Sequence, residues 1–176
     1  MEYHRPVLLT ETVEGLNIQP NGVYVDVTFG GGGHSREILQ RLGEDGRLIA
    51  FDQDEDALQN TIDDPRFLLI HENFRYLKRF LRFHNIKEVD GILGDFGVSS
   101  HQFNVAGRGF STRFEADLDM RMNQNATFSA YDVINKYPEE KIKNVLFQYG
   151  ELRAAPGMAR LIVEVRQQSP IISSEE

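Results

Sequence analysis

The chain has 176 residues, of which 40% are hydrophobic, so it holds one ordinary domain, or a domain with a small insert, and global disorder is excluded. It has no cysteine, which rules out disulfides, thiolate metal sites and a cysteine nucleophile. The net charge of −8 argues against a bare nucleic-acid binder, although residues 1–105 carry 10 Lys/Arg against 17 Asp/Glu while residues 106–176 carry 9 against 10. If the chain has a nucleic-acid-facing surface, the second part is the better candidate, though it is not basic overall; a solvated acidic surface that aids solubility is the bland alternative.

No apolar run reaches the roughly 18 residues that a membrane helix needs. The opening Met1-Glu2-Tyr3-His4-Arg5 lacks the apolar stretch of a secretory signal. The expectation is a soluble, cytosolic protein with no membrane partner.

In chain order, Val23–Thr28 is a short β-branched run that stops at Phe29 and four glycines. Ser35–Leu42 has helical spacing, Gly43–Gly46 is a turn, and Arg47–Phe51 reads as a second buried strand. Glu55–Ile62 is a short helix ended by Pro65, and Phe67–His71 is a third strand. Phe74–Phe83 is an amphipathic helix with Leu77, Phe80 and Leu81 inward, and Val89–Leu93 is a fourth strand. Strands alternating with helices predict an α/β fold with a parallel sheet.

Residues 100–127 read as a long loop of the kind that is functional or disordered. Helical spacing returns at Tyr131–Lys136, Glu139–Tyr149 and Met158–Gln168, with no further strand signal. The predicted organisation is a Rossmann-like part over 1–105 and a helical subdomain over 106–176. Four strands are fewer than a doubly wound sheet usually has, so either the fold is small or the chain is a fragment with an incomplete sheet.

The candidate site lies at the ends of the strands, where open parallel sheets bind ligands. Gly30-Gly31-Gly32-Gly33-His34-Ser35 joins the first strand to the first helix. Asp52 follows about 20 residues on, where a carboxylate can accept the ribose hydroxyls of an adenosine cofactor. The bland alternative is that Asp52 caps the next helix. A dinucleotide loop would place a third glycine where Ser35 stands. Asp26, four residues before Gly30, instead gives D-x-x-x-G-x-G, which suits a cofactor with an amino-acid tail. Asp26, Asp52 and Asp95 sit on different strand ends, and no metal is required.

Asp95, in Gly94-Asp95-Phe96-Gly97, shares that crevice. Its carboxylate could hold an exocyclic amine before a methyl sulfonium, or could form an Asx-turn. His34 is open between ligand contact and a place in the first helical turn. His4 and His71 read as structural. Phe74 could cover an adenine, although on the residues alone burial in the core is the better reading.

Together these motifs make the chain resemble the MraW family of ribosomal RNA methyltransferases. The opening H-x-P-V-L-L is His4 to Leu9, and the cofactor loop is Asp26 to Ser35. D-G-I-L-x-D-x-G-V-S-S is Asp90 to Ser100, R-G-F-S is Arg108 to Ser111, L-D-M-R-M is Leu118 to Met122, and Y-G-E is Tyr149 to Glu151.

The resemblance implies a Rossmann-like S-adenosylmethionine-dependent methyltransferase fold with an inserted helical subdomain. It implies cofactor contacts at Gly32, Gly33, His34, Asp52, Phe74, Asp95 and Gln102, with Asp95 also catalytic. The implied substrate is the exocyclic amino group (N4) of a cytidine in small-subunit (16S) ribosomal RNA, reached within the small ribosomal subunit, with a homodimer as a further assembly. Transfer to an amine needs no covalent enzyme adduct, which agrees with the absence of cysteine. The chain departs from the family at His101-Gln102-Phe103-Asn104, at Gly107 and at Leu152, all toward the substrate side. It also lacks the family's later F-H-S-L-E-D segment. A binding module without catalysis and, less favoured by the loop pattern, a nicotinamide-dependent oxidoreductase are the alternatives.

Overall fold

The computed structural model describes residues 6–175; His4 lies outside the described residues. The backbone divides into two compact units, one of residues up to 97 with 122–124, the other of 98–121 and 125 onward.

The first unit is a four-stranded parallel sheet, β1 (Val23–Asp26), β2 (Arg47–Asp52), β3 (Phe67–His71) and β4 (Gly91–Leu93), in the order β3-β2-β1-β4. The chain therefore runs outward one way from β1 through β2 to β3, then returns to add β4 on the other side of β1. That reversal is a topological switch point, and it opens a crevice between the ends of β1 and β4.

Both faces of the sheet are covered at β1 and β2, so these strands read as continuous apolar runs rather than alternating ones, whereas Ile92 of β4 is exposed. Side chains still alternate between faces. Tyr24 and Leu48 pack with Val13, Ile38, Leu39 and Leu42 on one side. Val25, Ile49, Phe51 and Ile70 pack with Leu77, Phe80 and Leu81 on the other. The helices supplying these residues are α1 (Leu9–Gly15), α2 (Gly33–Arg41) and α3 (Leu77–Phe83).

Several boundaries differ from the sequence expectation for physical reasons. β1 ends at Asp26 rather than Thr28, because the Asp26 carboxylate takes the Thr28 N–H at 3.0 Å and turns the chain. β4 starts at Gly91 rather than Val89; just before it, the Asp90 side chain accepts the Val23 N–H at 2.7 Å in place of a ladder carbonyl. Glu55–Asn60 winds as 3₁₀ turns, as does Phe74–Tyr76 ahead of α3. Helix α1 was not expected, since seven residues with Val13 alone fully buried leave too weak a period to read.

The second unit is helical. It begins with α4 (Ser100–Asn104), inside the stretch expected to be loop. Ser99 and Gln102 form a capping box there, a signal of Ser followed three residues later by Gln that the sequence does carry. Helices α5 (Ala130–Lys136), α6 (Glu139–Gln148) and α7 (Ala155–Arg166) follow, with Ile142, Ala155 and Ala159 buried. Asn135 pairs with Ile171 as a strand residue would, donating to its carbonyl at 2.8 Å and accepting its N–H at 2.9 Å. Among the described residues no helix is long and apolar enough to cross a membrane.

Candidate functional site: the crevice at the ends of β1, β2 and β4

The loop after β1 is held from three directions. Gly30 donates its N–H to the Asp52 carboxylate at 2.7 Å, and its carbonyl accepts from the Asn60 side chain at 3.0 Å. Behind it, the fully buried Asp26 accepts from the Ser35 hydroxyl at 2.7 Å, tying the end of β1 to the first turn of α2. The conformation needs glycine. Gly32 has φ +75°, and a Cβ there would also stand 2.9 Å from the Phe29 ring. A Cβ on Gly33 would run into the Pro6 ring.

Burial shapes the charges of this network. Desolvation pushes the Asp26 carboxyl above its ordinary value, against the hydrogen bonds from Ser35 and Thr28 that favour the anion. Asp52 is also raised, again first by burial, and its bonds from Asp54 and Gly30 oppose the shift. Each oxygen of Asp52 accepts one backbone N–H, from Gly30 and from Asp54, and a carboxylate oxygen has room for a second donor. The N-cap of the following 3₁₀ segment is Asp54, which accepts from Asp56, while Asp52 accepts the Asp54 N–H just ahead of it and so also supports the start of that segment.

At the end of β4, Asp95 donates its backbone N–H to the Thr28 hydroxyl at 2.7 Å. Its side chain is exposed and forms no hydrogen bond among the described residues, so no Asx-turn occupies it. Phe74, 38% exposed, is not a core residue; its ring lies 5.6 Å from that of Phe96, tilted by 54°. His34 is buried at the start of α2, and its Nε2 has no hydrogen-bond partner among the described residues. His71 is exposed and bonds the Gln53 carbonyl, in keeping with a structural place. Gln102 belongs to the second unit, where it is buried and closes the capping box of α4.

Gly32, Gly33, His34, Asp52, Phe74 and Asp95 thus all belong to the first unit, on segments that follow β1, β2, β3 and β4 or end them. Thr28 and Asn60 were not singled out from sequence. Thr28 lies inside the loop motif, where it was legible; Asn60 carried no signal, because its partner is 30 residues away. Among the described residues no group of three or more acidic or histidine side chains could hold a metal.

A parallel sheet of this order, with a glycine-rich turn after its first strand and an acidic residue ending its second, defines a Rossmann-like α/β methyltransferase fold. The sequence profile of the MraW methylase family matches residues 1–176, and the chain belongs to that family. It is 67% identical over 176 residues to a ribosomal RNA small subunit methyltransferase H of Christiangramia forsetii, covering all of this chain and 58% of the relative. It is 65% identical over 176 residues to the protein of that name in Flavobacterium johnsoniae, again covering 100% and 58%. With the Bacteroides thetaiotaomicron protein it shares 57% over 166 residues, 94% of this chain and 55% of the relative. The chain therefore spans somewhat more than half the length of these relatives.

Proposed function

We propose that this chain carries the cofactor site of a methyltransferase that uses S-adenosylmethionine to methylate the exocyclic N4 of a cytidine in small-subunit ribosomal RNA. The observation that carries the reading is the bond from the Asp95 N–H to the Thr28 hydroxyl, which links the β4 end to the glycine loop across the switch point. The names of the relatives supply the RNA class. Residues 106–176 are the helical subdomain of this assembly.

The residues fit the cofactor. The buried, unpartnered Nε2 of His34 and the spare acceptor capacity of Asp52 are polar groups that an adenosyl ligand would satisfy. Asp52 accepts from the ribose hydroxyls, Gly32 and Gly33 allow close approach of backbone, and Phe74 covers the adenine. Gln102, in the second unit, stands at a cofactor-binding position of the family motif. When bound, S-adenosylmethionine supplies a methyl group on a positively charged sulfur.

Asp95 accepts a hydrogen bond from the cytidine amino group and so turns the nitrogen lone pair toward that methyl. With the cofactor in place, the methyl carbon would bond to the nitrogen as its bond to sulfur breaks, the electron pair staying on sulfur. The nitrogen's extra proton then leaves to the Asp95 carboxylate or to water. Positioning and electrostatics are the protein's contribution.

The test is transfer of labelled methyl from S-adenosylmethionine to small subunits lacking the modification, followed by digestion to nucleosides. Label in N4-methylcytidine, abolished by Asp95→Ala, is expected. Label at carbon 5, or in another nucleoside, would overturn the reading.

A further inference from the structure

The cations of the first unit are not spread evenly. Residues 75–87 hold five Lys/Arg and no carboxylate, in a part of the chain whose 1–105 stretch is net −7. Lys78, Arg79 and Arg82 lie within α3, and Arg75 lies in the 3₁₀ turn just ahead of it. All four are exposed, while Leu77, Phe80 and Leu81 face the core.

An outward charged face is the ordinary state of an amphipathic helix, but ordinary faces mix the two signs. Like charges at i, i+4 destabilise a helix, and Lys78 and Arg82 stand at that spacing within α3. None of the Lys78, Arg79 and Arg82 side chains has an ion pair or hydrogen bond among the described residues.

Aromatic rings flank the stripe. The Arg75 guanidinium lies 4.6 Å from the centroid of Tyr76 and donates to its hydroxyl at 2.6 Å. Phe83 is 77% exposed, an apolar ring for which the fold gives no core contact. Between them lies a surface hollow of about 870 Å3, lined by Tyr76, Lys78, Arg79, Arg82, Phe83 and the partly buried Phe80, with Glu72 as the carboxylate on its lining. The stripe starts one residue after Phe74, at the ligand-binding end of β3.

We infer that this basic, aromatic face of α3 is a docking surface for an unpaired stretch of RNA, whose phosphates meet Lys78, Arg79 and Arg82 and whose bases stack on Tyr76 and Phe83. A groove of cations beside the half-buried ring of Tyr76 and the exposed ring of Phe83 is what single-stranded RNA recognises, since the phosphates need charge and every base has a stacking face. The inference rests on the reading that the substrate is RNA. It places RNA contacts in the first unit, whereas the overall charge balance pointed to residues 106–176.

The experiment is fluorescence anisotropy of this chain with a fluorescein-labelled, unstructured 20-nucleotide RNA of mixed sequence, between 50 and 200 mM KCl. Lys78→Glu with Arg82→Glu should weaken binding tenfold or more. It should also lower the slope of log affinity against log salt by about 1.4, the loss of two phosphate contacts. Tyr76→Ala with Phe83→Ala should weaken binding but leave the slope unchanged.

Arg47→Glu with Lys87→Glu makes the same change in net charge outside the four stripe positions and should cost less than threefold. Circular dichroism and binding of S-adenosylhomocysteine report the fold and the cofactor site of every variant. Equal losses in the stripe and control variants, no loss in the stripe variant, or no RNA binding by the parent chain would overturn the surface. In each of those cases retained S-adenosylhomocysteine binding would leave the cofactor reading intact. Loss of that binding in the parent would instead count against the proposed function.

Discussion

Asp52 holds Gly30: its carboxylate accepts the Gly30 N–H at 2.7 Å across 22 residues of chain. The residue proposed to bind the ribose is therefore also the residue that fixes the loop beside it. Asp52→Ala should weaken S-adenosylhomocysteine binding by about 1.5–3 kcal/mol, the worth of a hydrogen bond to a charged group, which is roughly 10- to 150-fold in affinity. Calorimetry checks this. Asp52→Asn keeps an acceptor for Gly30 and should recover part of the loss; affinity unchanged in Asp52→Ala would remove Asp52 from the site.

The buried Asp26 makes a prediction about pH. Burial raises its carboxyl above the ordinary value of 3.8, so between that value and its folded pKa the folded chain binds more protons than the unfolded one. Its contribution to stability is complete below 3.8 and is lost as the pH rises through the folded pKa. Asn at 26 can accept from Thr28 and donate to Ser35 without titrating. Urea unfolding of Asp26→Asn and the parent, from pH 4 to 8, should show the variant gaining on the parent as pH rises. Parallel curves would contradict it. The partly buried Asp64, held at about 2 by the hydrogen bonds from Arg66, acts in the opposite sense and weakly, losing its contribution as pH falls.

Gly32→Ala forces a left-handed backbone on a residue with a Cβ, a cost of about 1–2 kcal/mol. The new methyl also meets the Phe29 ring. The urea midpoint should fall accordingly and S-adenosylhomocysteine affinity should drop with it. A variant as stable as the parent would mean the loop does not hold this conformation.

In the second unit, Asn135→Ala removes both hydrogen bonds to Ile171 and leaves that backbone unpaired, at about 1–3 kcal/mol. Amide exchange at Ile171 should accelerate. Exchange unchanged from the parent would show that residue 171 is held by its buried side chain alone.

The strands and the strand-end residues were legible because β-branched runs, glycines and spaced aspartates are local signals. Asp95 could be placed by its strand, and Asp52 by its distance from the loop. What was not legible depends on partners far apart in sequence. Asn60 reaches Gly30, and Asp90 reaches Val23 over 67 residues. Helix α1 is short and packs one fully buried side chain. The basic face of α3 was readable as a helix with an apolar side; its meaning lies in the other side, which a search for core residues passes over.

The most direct test of the account is an amide chemical-shift map of this chain titrated with S-adenosylhomocysteine. The predicted result is saturable shifts at Gly30, Gly32, Gly33 and His34, with Asp52, Phe74 and Asp95 following at the same dissociation constant. Shifts centred on the opposite, N-terminal ends of the strands, near Arg47 and Phe67, or no shifts at saturating ligand, would contradict it.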